Sequence, residues 1–298
     1  MLGLLRHSTE NSLIVIGSEV ILALYPILIK KVPTGLVTQL LSRFLTFTVL
    51  AAALAKPAAL RETWGTAAGL TRSLGLGSIT LAHVAASYYA FDKLSAGAAM
   101  SLFYTYPIWN LLGGALLYGE SVSPYQLALV ALAFVGTVLV AQDIHEGFEE
   151  GSGNRPANWK GVGAALLAAV TETMMYFGVR TTRVPDPYTS TLELYPGALL
   201  GLLAFLGLAP ASTNRPAVSS SPGVWLPMTL FNIFIGFLGY AARFYAIPNV
   251  PTIVFSLLSF TGVIAAFVWG WLFVGEKPTL KTAIGAACIS LAAGALGA

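Results

Sequence analysis

Charge is what this 298-residue sequence has least of: Asp, Glu, Lys and Arg together make up 10% of it, where soluble domains carry roughly a quarter. Hydrophobic residues make up 56% and the mean hydropathy is +0.75, so a soluble globular protein is excluded. Cysteine is nearly absent. The single Cys288 rules out an internal disulfide and any cysteine-paired metal site. The net charge of +3 is small and dispersed along the chain, which argues against a nucleic-acid partner and against a polybasic lipid-binding surface. No G-x-x-x-x-G-K-[ST] loop and no H-E-x-x-H motif occurs. The sequence therefore points to no enzyme, no cofactor and no coupling to nucleotide hydrolysis. Ser78 and His83 could serve a membrane-embedded hydrolase, but neither a nucleophile motif nor an oxyanion-type loop accompanies them.

What the chain does have is apolar runs of about twenty residues, long enough to cross roughly 30 Å of hydrocarbon. Ten such windows fall near residues 12–31, 34–55, 68–91, 95–118, 124–142, 159–180, 187–209, 224–247, 250–274 and 279–297. Only Arg6, His7 and Glu10 bring charge or a titratable ring before the first, which lacks a small-residue cleavage site and reads as an uncleaved span. Most connections are short, so successive helices are antiparallel neighbours. The expected class is an all-α polytopic membrane protein of ten transmembrane helices embedded in a lipid bilayer.

A repeat orders these spans. Tyr89 to Glu120, YAFDKLSAGAAMSLFYTYPIWNLLGGALLYGE, recurs without a gap as Tyr245 to Glu276, YAIPNVPTIVFSLLSFTGVIAAFVWGWLFVGE. Each copy opens on Tyr-Ala and closes on Gly-Glu. The expected organisation is a first five-helix repeat over 1–143, a polar linker over 144–158 and a second repeat over 159–298. Five is odd, so the second repeat enters the membrane from the opposite side, and inverted repeats place a site near the midplane. A complete inverted pair can function as a monomer. The loop Pro210 to Pro222 reads as a solvated turn. Lysine and arginine counts favour an outside N-terminus only mildly. Gly97, Gly113, Gly114 and Gly285 are the kind of small residues that let membrane helices pack closely.

A charge at mid-span costs roughly 2.5–3.5 kcal/mol on insertion scales, so each needs a reason. Ser18-Glu19 in span one is matched at the same depth by Thr171-Glu172 in span six, and a cation, Lys30 or Arg183, follows each glutamate three turns later. Those cations read as interfacial anchors. One reading pairs Glu19 with Arg43 and Glu172 with Arg243 as inert packing. The other turns both carboxylates to a central cavity, where proton loss and cation binding exclude one another. Glu193 lies nearer a span end and reads as structural, and Arg72 as snorkelling. His83 is a candidate proton relay. Arg43 and Arg243 could instead clamp a carboxylate or phosphate. Aromatic faces beside an acid hold ammonium groups, which singles out Tyr104, Trp109, Tyr176 and Phe260. Pro26 and Pro107 predict kinks.

These features together resemble the EamA-type carriers of the drug/metabolite transporter superfamily: the inverted fives, Pro33 and Arg43, Tyr-Ala entering spans four and nine, and Gly119-Glu120 and Gly275-Glu276 before a polar turn. The resemblance implies ATP-independent movement of a small molecule such as an amino acid or choline. It also implies a cavity formed by spans one, three, four, six, eight and nine, with Tyr89 and Tyr245 in the scaffold. Many relatives carry Trp-Gly and a polar residue in span one, where this chain has Gly17-Ser18-Glu19. In that respect it is similar to the small multidrug carriers, whose first-span glutamate exchanges protons for organic cations. The expected function is secondary, proton-coupled transport of a small amine-bearing solute in a bacterial inner membrane. The solute and protons are its partners, Glu19 and Glu172 couple to protons, and His83, Tyr104, Trp109, Tyr176, Arg243 and Phe260 join them around the solute. The alternative is an exchanger of anionic metabolites built on the arginines.

Overall fold

A computed structural model of the chain describes residues 2–119, 121–151, 159–182, 186–208 and 217–296. Glu120, Arg183, residues 152–158 of the expected linker and residues 209–216 of the Ser/Pro-rich loop lie outside the described residues. Every regular element among them is helical. In order they are α1 (Leu2–Leu22), α2 (Tyr25–Lys31), α3 (Leu36–Leu54), α4 (Pro57–Trp64), α5 (Ala67–Lys93), α6 (Ala96–Phe103), α7 (Tyr106–Tyr118), α8 (Pro124–Gly151), α9 (Trp159–Arg180) and α10 (Pro187–Leu208). They continue with α11 (Pro222–Phe231), α12 (Leu238–Asn249), α13 (Thr252–Ser259), α14 (Thr261–Trp269) and α15 (Leu280–Leu296). Two wider π turns, Asn232–Phe237 and Gly270–Val274, extend α11 into α12 and prolong α14.

Helix occupies each of the ten stretches expected from hydropathy. Six helical segments are long and apolar enough to cross a bilayer: Thr9–Lys31, Leu36–Leu54, Trp159–Arg180, Pro187–Leu208, Pro222–Asn249 and Thr252–Val274. The remaining stretches are less uniform. α5 is 27 residues long, α6 and α7 are separated by a break, and α8 and α15 contain the shorter apolar segments Pro124–Val140 and Leu280–Ala292. α8 also runs on to Gly151, so helix extends into the stretch read as linker.

The breaks have local causes. Pro26 and Pro107 sit in the first turns of α2 and α7. Proline has no N–H to give the preceding turn and its ring crowds that turn's carbonyl, so the helix restarts there. The matching interruption at Phe260, between α13 and α14, has no proline and occupies the same place in the repeat as Tyr104. The Gly-Glu turns also correspond. Gly119 and Gly275 end their helices at φ 64° and 76°, the left-handed cap that a Cβ disfavours. Glu276 accepts the Ala96 N–H at the start of α6 at 2.6 Å and pairs with Lys30 at 3.1 Å. Lys30 donates to the Leu94 carbonyl as well, at 2.8 Å, so it is a tie between helices where the sequence suggested an interfacial anchor. Arg72 similarly bonds Glu193 at 3.1 Å and the Gly178 carbonyl at 2.7 Å, which replaces the snorkelling expected of it and gives Glu193 its structural role.

The packing brings α1, α5, α9, α12 and the broken helices α6/α7 and α13/α14 around one interior. Small residues allow close approach at the periphery: α8 and α15 cross at Gly136 and Gly285, where a Cβ on either would strike the other's carbonyl oxygen. The interior is apolar at its margins, with Phe44, Phe47, Val84, Ala168 and Val263 fully buried. At its centre it is not.

Candidate functional site

Two acids, an arginine and a histidine meet at mid-helix, all of them buried. Arg243 of α12 donates through one terminal nitrogen to Glu19 Oε1 of α1 at 2.5 Å and through the other to Glu172 Oε1 of α9 at 2.7 Å. Hydrogen bonds between an ionised guanidinium and a carboxylate are stronger than neutral ones. One guanidinium therefore bridges helices from both halves. The pairing of Glu19 with Arg43 suggested by the sequence is not formed; Glu19 shares Arg243 with Glu172. Tyr104 and Ser259 stand at the two helix breaks, beside Glu19. Tyr104 donates to Glu19 Oε2 at 2.6 Å, and Ser259 Oγ lies 3.3 Å from Glu19 Oε1. Gly262 makes room for Tyr104, since a Cβ there would overlap the phenol oxygen.

His83 of α5 completes the group. Its Nδ1 lies 3.1 Å from the Ala168 carbonyl oxygen and 3.4 Å from Thr171 Oγ1; the carbonyl, which can only accept, favours the tautomer with its hydrogen on Nδ1. Its Nε2 lies 3.2 Å from Glu172 Oε2, close but out of line, leaving that oxygen without an aligned donor. A neutral ring with its hydrogen on Nδ1 would present a lone pair to a carboxylate. One proton, on either Nε2 or Oε2, removes that repulsion. Within the bridge, two carboxylates against one guanidinium leave an excess of one negative charge, and the second buried guanidinium, Arg43, lines the same cavity.

A small cavity adjoins this network. It is lined by Arg243, His83 and Tyr104 on one side, by Arg43, Tyr25 and Tyr240 on the other, and by apolar Leu22, Phe91, Met100 and Phe103. The glutamates stand one layer behind the lining. Spans one, three, four and eight provide most of the wall, six and nine supply Glu172 and Ser259, and α3 adds Arg43, which the family resemblance did not imply. Arg43 sits in a cage of rings, with its guanidinium carbon 4.5 Å from the centre of Tyr25, 4.6 Å from Tyr240 and 5.3–5.6 Å from Phe47, Tyr88 and Tyr195.

The structure brings Glu19, His83, Tyr104, Glu172 and Arg243 together. Tyr176 is buried one turn from Glu172, but its hydroxyl faces Arg180 at 3.3 Å, and its ring packs on Phe255, 5.2 Å away. Phe255 in turn lies 5.4 Å from the Arg243 guanidinium, so Tyr176 supports the site at second hand. Phe260 is buried at the break beside Ser259 and lines a separate apolar pocket with Pro107, Leu129 and Ser256. Trp109 is 44% exposed on the outer face of α7, whose buried face carries Tyr106, Asn110 and Gly114; it is not part of the cluster. The sequence reading passed over Tyr106, whose ring centre is 5.1 Å from Arg243, Ser259, and the tyrosines around Arg43. Ser259 had a signal, its place in the repeat break. The four tyrosines around Arg43 come from four helices, α2, α5, α10 and α12, and had none.

A helical membrane bundle with a buried Glu-Arg-Glu bridge, an adjoining histidine and a central cavity belongs to the polytopic carriers. The EamA-like transporter family model matches residues 11–142 and 159–296, once in each half. The chain belongs to the EamA-like transporter family, and it is a multi-pass integral membrane protein. It is 22% identical over 201 residues to the "Uncharacterized transporter YxxF" of Bacillus subtilis (strain 168), a match that covers 66% of this chain and 60% of that one. A solved structure described as "Crystal structure of protein" superposes with a TM-score of 0.65 at 21% identity, over 97% of this chain and 96% of that one, which supports the fold.

Proposed function

We propose that the chain is a secondary, proton-coupled carrier of a small amine-bearing solute, an amino acid or organic cation, in a bacterial inner membrane. Its ten helical stretches act as two inverted five-helix repeats, and a proton and the solute amine alternate on the Glu19, Glu172 and His83 network. Two family matches of similar length, paired breaks at Tyr104 and Phe260 and paired caps at Gly119 and Gly275 support the repeat. Inverted halves rocking about a midplane site give alternating access without ATP.

The observation that carries this reading is the bridge itself: one arginine holds two carboxylates, and the excess negative charge sits beside His83, one layer behind the cavity wall that His83 lines. A negative charge held away from water is stabilised by a cation in direct contact, and Arg43 stands only across the cavity from it. A proton satisfies it in one half of the cycle and an ammonium in the other, so each expels the other. The exchanger of anionic metabolites has less support, because Arg243 is already neutralised by two acids and cannot act with Arg43 as a pair of clamps.

Thermal unfolding of the purified protein in detergent tests the reading, with amines, amino acids and phosphorylated metabolites added at pH values from about 5 to 9. A ligand bound to the folded state alone raises the apparent midpoint by mass action. Stabilisation by amines that grows as pH rises is expected. Stabilisation by phosphates or dicarboxylates, greatest at low pH, would replace this reading with the anion exchanger.

A further inference from the structure

We infer that Arg43 binds a carboxylate of the transported solute, so that the solute is a zwitterion whose amine goes to the Glu172 and His83 side of the cavity. The inference rests on the proposed amine site and adds its opposite pole. Three observations support it. Arg43 is 2% exposed and lies within the helix α3, yet among the described residues no carboxylate comes within 4 Å of it. Its polar partners are two phenols, Tyr195 at 2.7 Å and Tyr88 at 3.5 Å, and its Nε has no acceptor. It lines the same cavity as Arg243 and His83.

A buried guanidinium without an anion is costly, and the aromatic faces around it offset only part of that cost. The caging rings also fix the planar fork, which then meets a carboxylate with little further loss of freedom. Phenols that accept from Arg43 keep their own hydrogens to donate. One end of the cavity thus offers a positive charge with ordered donors, and the other His83, with the Glu172 carboxylate directly behind it. A carboxylate of one negative charge matches Arg43 alone. A phosphate monoester carries nearly two at neutral pH and would need a second free cation, which Arg243, held by two acids, does not provide.

The competing possibility is that Arg43 only holds the tyrosines in place. The experiment compares the common amino acids with the primary amines left when their carboxylates are removed, leucine against 3-methylbutylamine and phenylalanine against 2-phenylethylamine among them, by thermal shift on the whole protein. For wild type, at least one amino acid should stabilise at a concentration at least tenfold below that of its amine. In Arg43→Gln that amino acid should fall to the level of its amine, with the amine unchanged. Where Arg43→Gln does not fold, Arg43→Lys, which keeps the charge and loses the fork, should show the same selective loss. Amines that bind as well as every amino acid, or a variant that weakens both equally, would overturn the assignment while leaving the amine carrier standing. Stabilisation by neither class would overturn both.

Discussion

Replacing Arg243 with glutamine should be among the most damaging single changes in the chain, and the damage should depend on the company it leaves behind. The substitution removes two short charge-assisted bonds, at 2.5 and 2.7 Å, and strands Glu19 and Glu172 in a buried site. Removing one partner from a buried ion pair costs about 3–5 kcal/mol, whereas replacing every member with uncharged groups of similar size is often neutral. Arg243→Gln should therefore lower stability by about 5 kcal/mol at pH 8. With about 2–4 °C per kcal/mol for a medium-sized domain, the midpoint falls by on the order of 10 °C. The triple variant Glu19→Gln, Arg243→Met, Glu172→Gln should recover most of that loss and transport nothing. Unfolding followed by intrinsic fluorescence in one detergent at one scan rate measures all three proteins. A single variant as stable as wild type at pH 8, or a triple variant no better than the single, would refute the bridge as the main electrostatic tie.

Other changes test neighbouring parts. Tyr104→Phe deletes the donor 2.6 Å from Glu19 and should cost about 1–3 kcal/mol as a lost bond to a charged group, while moving the pH dependence of solute binding. Gly262→Ala should reproduce much of that effect without touching a polar group, since its Cβ would displace the Tyr104 phenol; unchanged pH dependence in this variant would argue against the contact. Glu276→Gln leaves Lys30 without its carboxylate and weakens the cap on α6, so cysteine labelling near Leu94 should quicken. Trp109→Leu, on the outer face of α7, should leave solute binding within error of wild type.

Much of this arrangement was legible because it repeats. The second copy of Tyr89 to Glu120 marked both Gly-Glu ends, Pro107 marked one of the two breaks, and depth matching singled out Glu19 and Glu172; the break at Phe260, which has no proline, came only with the structure. Partnership was harder. Arg43 and Arg243 both lie at mid-span, and hydropathy assigns each to a helix without saying which neighbour its long side chain reaches. The reading gave one arginine to each acid; the fold gives both acids to Arg243 and surrounds Arg43 with rings. Trp109 misled for a related reason. The restart at Pro107 resets the phase of α7, so a residue five beyond Tyr104 faces outward while Tyr106 turns towards Arg243. The sequence singles out none of Tyr25, Tyr88, Tyr195 and Tyr240 as a site residue, because each is an ordinary membrane tyrosine on its own helix, and only packing collects them.

The central claim is that a proton and a solute amine take turns on one buried negative charge, and its most direct test is proton movement during transport. The protein is reconstituted into liposomes holding a pH-sensitive dye, and an amine that stabilises it is added outside with no initial pH gradient. The account predicts that amine entry drives protons out and raises the internal pH, and that Glu172→Gln abolishes this change while Trp109→Leu retains it. Amine uptake at the wild-type rate with no change of internal pH would contradict the account.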